Sequence, residues 1–289
     1  MHLLIPHASA LGEEATQTLA GLTLPNLSHL LGAWQARERH GSDEFSPDLP
    51  HEAALAALRG EAPAVAAWRA AELGLPGERP WALLTPLHLA VSLDQVTAHA
   101  AELSEADSQL LFEDLAELWP AAEGWSAHWA GPAEWLVSHD SLAGVASASI
   151  DRVVQRNIAP WLPEARRLRS LQNEVQMLLH RHPLNEIRAA PVNSVWISGC
   201  GASTKALPAE VRVDWRLRAP LLAGDWQAWA AAWQALDAEL LALAPASLTL
   251  CGERFAQVFG PGAAGGLVQR LWQRVAPPRA DVASLLATL

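Results

Sequence analysis

A run of tryptophans and leucines constrains this chain more than any other feature. After Asp225, the residues Trp226, Trp229, Trp233, Leu236, Leu240 and Leu243 recur at steps of three and four. On a helix of 3.6 residues per turn that spacing stacks them into one apolar stripe, and Asp225 stands where an N-cap belongs. Such a helix has to bury its stripe against another layer. The strand-like runs NSVWISG upstream and SLTLCGE downstream supply one, so the expected fold class is α/β, a layered arrangement of sheet and helices.

The rest of the chain continues this alternation. His2 to Pro6 reads as a short buried strand stopped by a proline, and LPNLSHLLGAW as a turn followed by a helix from Pro25. RERHGSDEFSPDLP, from Arg37 to Pro50, is polar and rich in turn formers and reads as a loop. HEAALAALRG then predicts a helix stopped by Gly60, and a second alanine-rich helix from Pro63 to Leu73 ends at Gly74. WALLTPLHLAVS reads as a strand, and Ser104 with Asp107 three residues on reads as a helix start. WSAHWAGPAEWLVS reads as two short strands turned at Gly131 and Pro132. Trp81 to Ser138 are therefore expected to form a βαββ unit. Leu168, Leu171, Val175, Leu178 and Leu179 predict a helix from Glu164 to about His180. SLTLCGE is the last expected strand, and a short helix is expected to end the tail from Pro277.

Composition narrows the function classes. The 289 residues suffice for a core without disulfides. The chain is 51% hydrophobic, yet no apolar run approaches the ~20 residues of a bilayer span. MHLLIPHAS lacks the basic start and long apolar run of a signal peptide, so a soluble, cytoplasmic protein is expected. A net charge of −11 argues against general affinity for nucleic acid or an anionic membrane. Arg166, Arg167 and Arg169 form one local basic patch, which fits either a small anion or a solvated face. Two cysteines, Cys200 and Cys251, make neither a disulfide framework nor a thiolate metal cluster.

Three segments invite chemistry. In APVNSVWISGCGAS, Cys200 lies between Gly199 and Gly201. A cysteine nucleophile there needs a histidine base and a group to orient it; otherwise Cys200 is a small hydrophobe. The loop lacks the third glycine of a dinucleotide site, so its glycines point to positive φ or to close approach of a neighbour. His180 and His182, two residues apart, diverge on a helix and suit a metal only on a strand. Between them and the loop, His182, Asn185, Arg188, Asn193 and Ser194 gather amide and guanidinium groups. These can hold a carboxylate or phosphate, or the asparagines cap turns while Arg188 pairs with an acidic neighbour. No histidine follows His182, and only Asp214, Asp225, Asp237 and Asp281 supply aspartates there.

At these residues a family resemblance becomes visible. LQNEVQMLLHRHPLNEIRAAPVNSVWISGCG resembles a block of the bacterial RpfE-type regulatory proteins, some of which carry the name phosphoglycerate mutase. SPDLPHEAALAALRG, WALLTPLHLAVSLDQVT, ASIDRVVQRNIAPWLP and LTLCGE extend the match over most of the chain. HPLN to WISGCG is also similar to the HPxN…R…ANxxWxxGxG segment of the archaeal-type cofactor-independent phosphoglycerate mutases, in the alkaline phosphatase superfamily. The resemblance implies an alkaline-phosphatase-like core formed by residues 1–77 and 139–289, with a small βαββ substrate-side domain, 78–138, inserted between them.

In that superfamily the resemblance further implies two metal ions, a Ser or Thr nucleophile, and Asp and His ligands reaching the C-terminus. This sequence departs from that pattern. IPHAS stands where an Asp is expected, and SLTLCGER where an Asp-His pair is expected. The leading expectation is therefore a degenerate, non-catalytic relative with no cofactor, acting in regulation or binding a small phosphorylated or carboxylated metabolite. Arg188, Asn185 and Asn193 would be its polar groups, joined by His182, His88 and His51. The alternative is an active phosphomutase or phosphohydrolase. It would use Ser42 or Ser46 as nucleophile and a reduced Mn or Zn site of Asp43, Asp48 and His51.

Overall fold

The computed structural model describes residues 1–262 and 279–289. In chain order the strands are β1 His2–Ile5, β2 Trp34–Gly41, β3 Trp81–Val91, β4 Val96–Ala100, β5 Ser126–Gly131, β6 Glu134–Ser138, β7 Ser194–Gly201, β8 Val211–Val213, β9 Ser247–Cys251 and β10 Phe255–Pro261. The helices are α1 Glu13–Gly21, α2 Pro25–Ala33, α3 Pro50–Arg59, α4 Val65–Glu72, α5 Glu105–Asp114, α6 Ile150–Val153, α7 Arg166–His180, α8 Pro183–Glu186, α9 Arg218–Leu222 and α10 Trp226–Leu243, with a last short helix over Val282–Leu286. That last helix is the expected one, although Pro277 itself lies outside the described residues. The mixed α/β class is as expected. Two compact units share the chain: Met1–Leu58 with Leu207–Leu289, and Arg59–Ala206.

The first unit is built on a sheet of order β2-β10-β9-β1-β8. β1 lies between β9 and β8 and is parallel to both, whereas β10 and β2 are antiparallel additions. Strand alternation sends Leu3, Ile5, Leu248, Leu250 and Phe259 to one face, where they pack with Trp229 and Trp233 of α10 and Leu27 of α2. Asp225 caps α10, accepting from the Ala228 N–H at 2.9 Å. α2 starts on Leu24, which has no side-chain oxygen to offer its free N–H groups. Asp237, buried in the middle of α10, does so from across the interface. Its carboxylate accepts from the N–H groups of Leu27 at 2.7 Å and Asn26 at 3.2 Å.

In the second unit, β3 carries β7 along one edge and β6 followed by β4 along the other. α7 covers one face through Leu168, Leu171 and Val175, against Trp135, Val195 and Ile197. α4 covers part of the other with Ala64, Ala66, Ala67 and Ala70, against Trp81 and Leu136. Here the Gly-Cys-Gly loop finds its explanation. Gly199 and Gly201 have φ of +62° and +154°. A Cβ on Gly199 would stand 2.9 Å from the Ala66 nitrogen, and one on Gly201 2.9 Å from the Ala64 Cβ. The glycines let an alanine helix lie directly on the strand.

Several elements differ from expectation. Arg37 to Gly41, read as loop, belong to β2, an edge strand whose residues are mostly exposed and therefore polar. SLTLCGE is followed by another strand, β10. β4 adds a strand inside the expected βαββ unit, and β3 pairs with β7 from Trp81 to Leu87. The compact units accordingly divide at 58/59 and 206/207 rather than around 78–138, because β7, α4 and α7 pack with β3. Among the described residues no helix is long and apolar enough to cross a membrane.

Asp237→Ala strips one buried and one partly buried N–H donor of their acceptor and is expected to cost about 2 kcal/mol. Urea unfolding should show a lower midpoint, with a smaller loss for Asp237→Asn, which keeps one acceptor oxygen.

Candidate functional site

Of the residues expected from the sequence to form a cleft, Arg188, Asn185, Asn193, His182 and His88 make contacts within the second unit, whereas His51 lies in the first. Asn193 clips β3: its Oδ1 accepts from the Leu89 N–H at 2.7 Å and its Nδ2 donates to the Leu89 carbonyl at 2.9 Å. Asn185 closes the segment before β7, donating to the Leu179 and Val192 carbonyls and accepting from the Val192 N–H, all at 2.8 Å. Arg188 donates to the Glu102 carbonyl and lies 3.5 Å from the Asp107 carboxylate. His182 is the N-cap of α8 and pairs with Asp114 at 2.8 Å, while His180 ends α7. His88 donates from Nδ1 to the Pro191 carbonyl at 2.8 Å. Burial pushes the Cys200 thiol up to about 11, which keeps it protonated and unreactive at neutral pH. Arg166, Arg167 and Arg169 are exposed, with Arg167 over the Trp125 ring at 5.3 Å.

A different group assembles at the carboxyl ends of the parallel strands in the first unit, the edge where open α/β sheets hold ligands. β1 leads into Pro6 and His7, β8 into Asp214 and Trp215, and β9 into Gly252 and Glu253. The Ala8 N–H to the Cys251 carbonyl and the Asp214 N–H to the Leu4 carbonyl, at 2.8 and 2.9 Å, hold these ends together. His51 joins them from the first turn of α3. The rings of His7 and His51 lie 5.0 Å apart, and Trp215 meets His51 edge-on at 5.4 Å. Both histidines are nearly buried, at 6% and 4% exposure. His7 sits at φ +58°, a strained conformation of the sort that clusters at functional sites. Its carbonyl accepts from the Trp229 indole at 3.2 Å, which ties the turn to the core.

The neighbouring charges are fixed. Burial alone would push the Asp214 carboxyl up, but the Arg216 guanidinium, bonded at 2.7 Å, holds it below the ordinary carboxylate range. Arg216 also reaches Glu239 on α10 at 2.9 Å, and these two partners raise its own pKa. Glu253 accepts from the Leu11 N–H at 3.0 Å. Glu52 accepts from the Leu49 N–H at 2.8 Å, half of a capping box whose N-cap is apolar.

A ring nitrogen of His7 and one of His51 lie within 4.8 Å of each other, a spacing one borderline cation can bridge. Asp43, by contrast, is exposed and accepts from the Phe45 N–H at 2.9 Å. Among the described residues no three-donor group contains Asp43 or Asp48. Ser42 is exposed and Ser46 half-buried; both precede Leu49, the buried residue that occupies the N-cap of α3.

No protein-family model matches the chain, and no curated protein matches it. Among solved structures it is similar to the PH0037 protein from Pyrococcus horikoshii, at 12% identity and a TM-score of 0.47, over 90% of this chain and 87% of that one. It is also similar to the cofactor-independent phosphoglycerate mutase from Thermoplasma acidophilum, at 14% identity and a TM-score of 0.34, over 100% and 98% of the two chains.

Within the second unit, α6 carries buried Asp151 and Arg152, the latter 1% exposed and 5.6 Å from the Trp161 ring. Sequence reading took ASIDRVVQRNIAPWLP only as a block of the family resemblance and singled out neither residue. It also had no means of pairing His7 with His51, which no short spacing connects. The one available signal was a histidine directly after a strand-ending proline.

Arg216→Ala leaves the Asp214 carboxylate buried without its partner and is expected to cost on the order of 2 kcal/mol at neutral pH. Because the folded pKa of Asp214 is depressed, its stabilising contribution is present above the unfolded pKa and is lost as pH falls through the folded value. Denaturation at a series of acidic pH values should therefore be steeper in the wild type than in Arg216→Ala.

Proposed function

We propose that the protein is a phosphoglycerate-mutase-like binding protein that no longer transfers phosphoryl groups. Its ligand is a small phosphorylated metabolite, held at the carboxyl edge of the first unit's sheet in a regulatory role. The observation that carries this reading is the buried pair His7 and His51, 5.0 Å apart, with His51 in the first turn of α3. The helix N-terminus favours negative charge there, and two imidazoles supply donors to an oxyanion. The sequence resemblance to RpfE-type regulatory proteins and to the archaeal-type mutases supports the same reading. So does Leu49 at the N-cap of α3, in place of a hydroxyl next to the imidazoles.

A second reading is a metal-dependent phosphohydrolase, favoured by ring nitrogens within 4.8 Å of each other. His7 and His51 would then hold Zn or Mn, which supplies Lewis acidity and an activated water when bound. Thermal-shift titration with 3-phosphoglycerate and inorganic phosphate, run beside turnover of a generic phosphate ester in added Mn²⁺ or Zn²⁺, separates the two. Binding without turnover is expected, with affinity at least tenfold weaker in His51→Asn and in His7→Asn, which keeps a residue tolerant of the left-handed backbone. Metal-dependent turnover lost in the same variants would establish the second reading. No thermal shift and no turnover would overturn both.

A further inference from the structure

The opposite face of the first unit's sheet holds a second polar centre, at the amino ends of the same strands. His2 opens β1 and Ser247 opens β9, paired in register. The His2 ring is hydrogen-bonded through both nitrogens, from Nδ1 to the Ser247 hydroxyl at 2.6 Å and from Nε2 to the Thr249 hydroxyl at 2.9 Å. Alternation puts these three on the face away from the tryptophan core, with Thr249 buried and Ser247 only partly so. They line a cavity of about 430 Å³, within the usual size range of small-molecule sites. Ala54, Ala57 and Leu58 of α3 form an apolar wall, and Arg37 and His40 of β2 stand on the other side.

The hydroxyl and imidazole groups form a relay rather than a closed pair. Whichever ring nitrogen carries the proton, the Ser247 hydroxyl is left able either to donate into the cavity or to accept from a ligand. Burial, with the chain's first ammonium group, lowers the His2 pKa and favours its neutral form. Arg37 spends one N–H on the Pro261 carbonyl at 2.8 Å. It lies directly over Gly260, where a Cβ would stand 2.7 Å from Nε. Glu38 also borders the cavity; its side chain is 81% exposed and 3.9 Å from His40. The formal charges of Arg37 and Glu38 cancel, so a multiply charged phosphate gains little here. A single negative charge placed against the Arg37 fork is matched.

We propose that this cavity is a binding site for a short monocarboxylic acid. Its carboxylate lies against Arg37 and His40, its stem against Ala54, Ala57 and Leu58, and a hydroxyl or carbonyl of the ligand meets Ser247. This site is separate from the His7–His51 edge and stands whether or not a ligand binds there. Saturation-transfer NMR on the full chain with 3-hydroxybutyrate as probe and inorganic phosphate as competitor tests it. Transfer to 3-hydroxybutyrate is expected, with at least tenfold weaker binding in Arg37→Met, weaker binding in Ser247→Ala, and no change in His51→Asn or on adding phosphate. Arg37 is exposed, so Arg37→Met tests the site without touching the core, and Gly260→Ala displaces the guanidinium while keeping its charge. Absence of transfer at millimolar 3-hydroxybutyrate, unaltered affinity in Arg37→Met and Gly260→Ala, or displacement by phosphate would each overturn the proposal.

Discussion

Four residues, His2 to Ile5, determine where everything in the first unit goes. β1 is hydrogen-bonded on both sides, to β9 and to β8, in parallel register. A strand held along both edges cannot slip by one residue without turning Leu3 and Ile5 out of the tryptophan core. That constraint fixes both of its ends. His2 stays over Ser247 and Thr249 on the outer face, and Pro6 stops the strand so that His7 turns into a left-handed conformation beside His51. The two polar centres of the unit are thus the amino and carboxyl ends of one buried strand, and the apolar residues between them supply the energy that holds each in place.

The second unit uses its polar residues differently. Asn185 and Asn193 satisfy main-chain groups that the sheet leaves open, which is the cheapest use of an amide in a buried turn. Gly199 and Gly201 give up side chains so that α4 can touch β7. Their physical role is to build the sheet around β3.

Much of this was legible in the sequence, for identifiable reasons. α10, α7, α3 and β1 were readable because periodicity and caps act locally, and the Asp225 cap and the Gly60 stop are properties of a few consecutive residues. β2 was not readable, because an exposed edge strand of WQARERHG has no buried face to mark it. β4 follows the polar turn at Ser92 to Gln95 and β10 the turn at Gly252 to Arg254, and the turn residues masked the strands beyond them. The Asp237 cap of α2 and the meeting of His7 with His51 depend on tertiary contact, which no local pattern encodes. The candidate cleft around Arg188 was drawn from residues close in sequence, whereas the groups that converge in the first unit come from distant segments.

On the readings proposed above, the two ends of β1 serve separate ligands. Histidine side-chain ¹⁵N NMR of the full chain tests it most directly, titrating inorganic phosphate in one sample and 3-hydroxybutyrate in another. Phosphate should move the His7 and His51 resonances together and leave His2 and His40 in place, and 3-hydroxybutyrate should do the reverse. A ligand that moves all four together, or phosphate and 3-hydroxybutyrate that move none of them, would contradict the account.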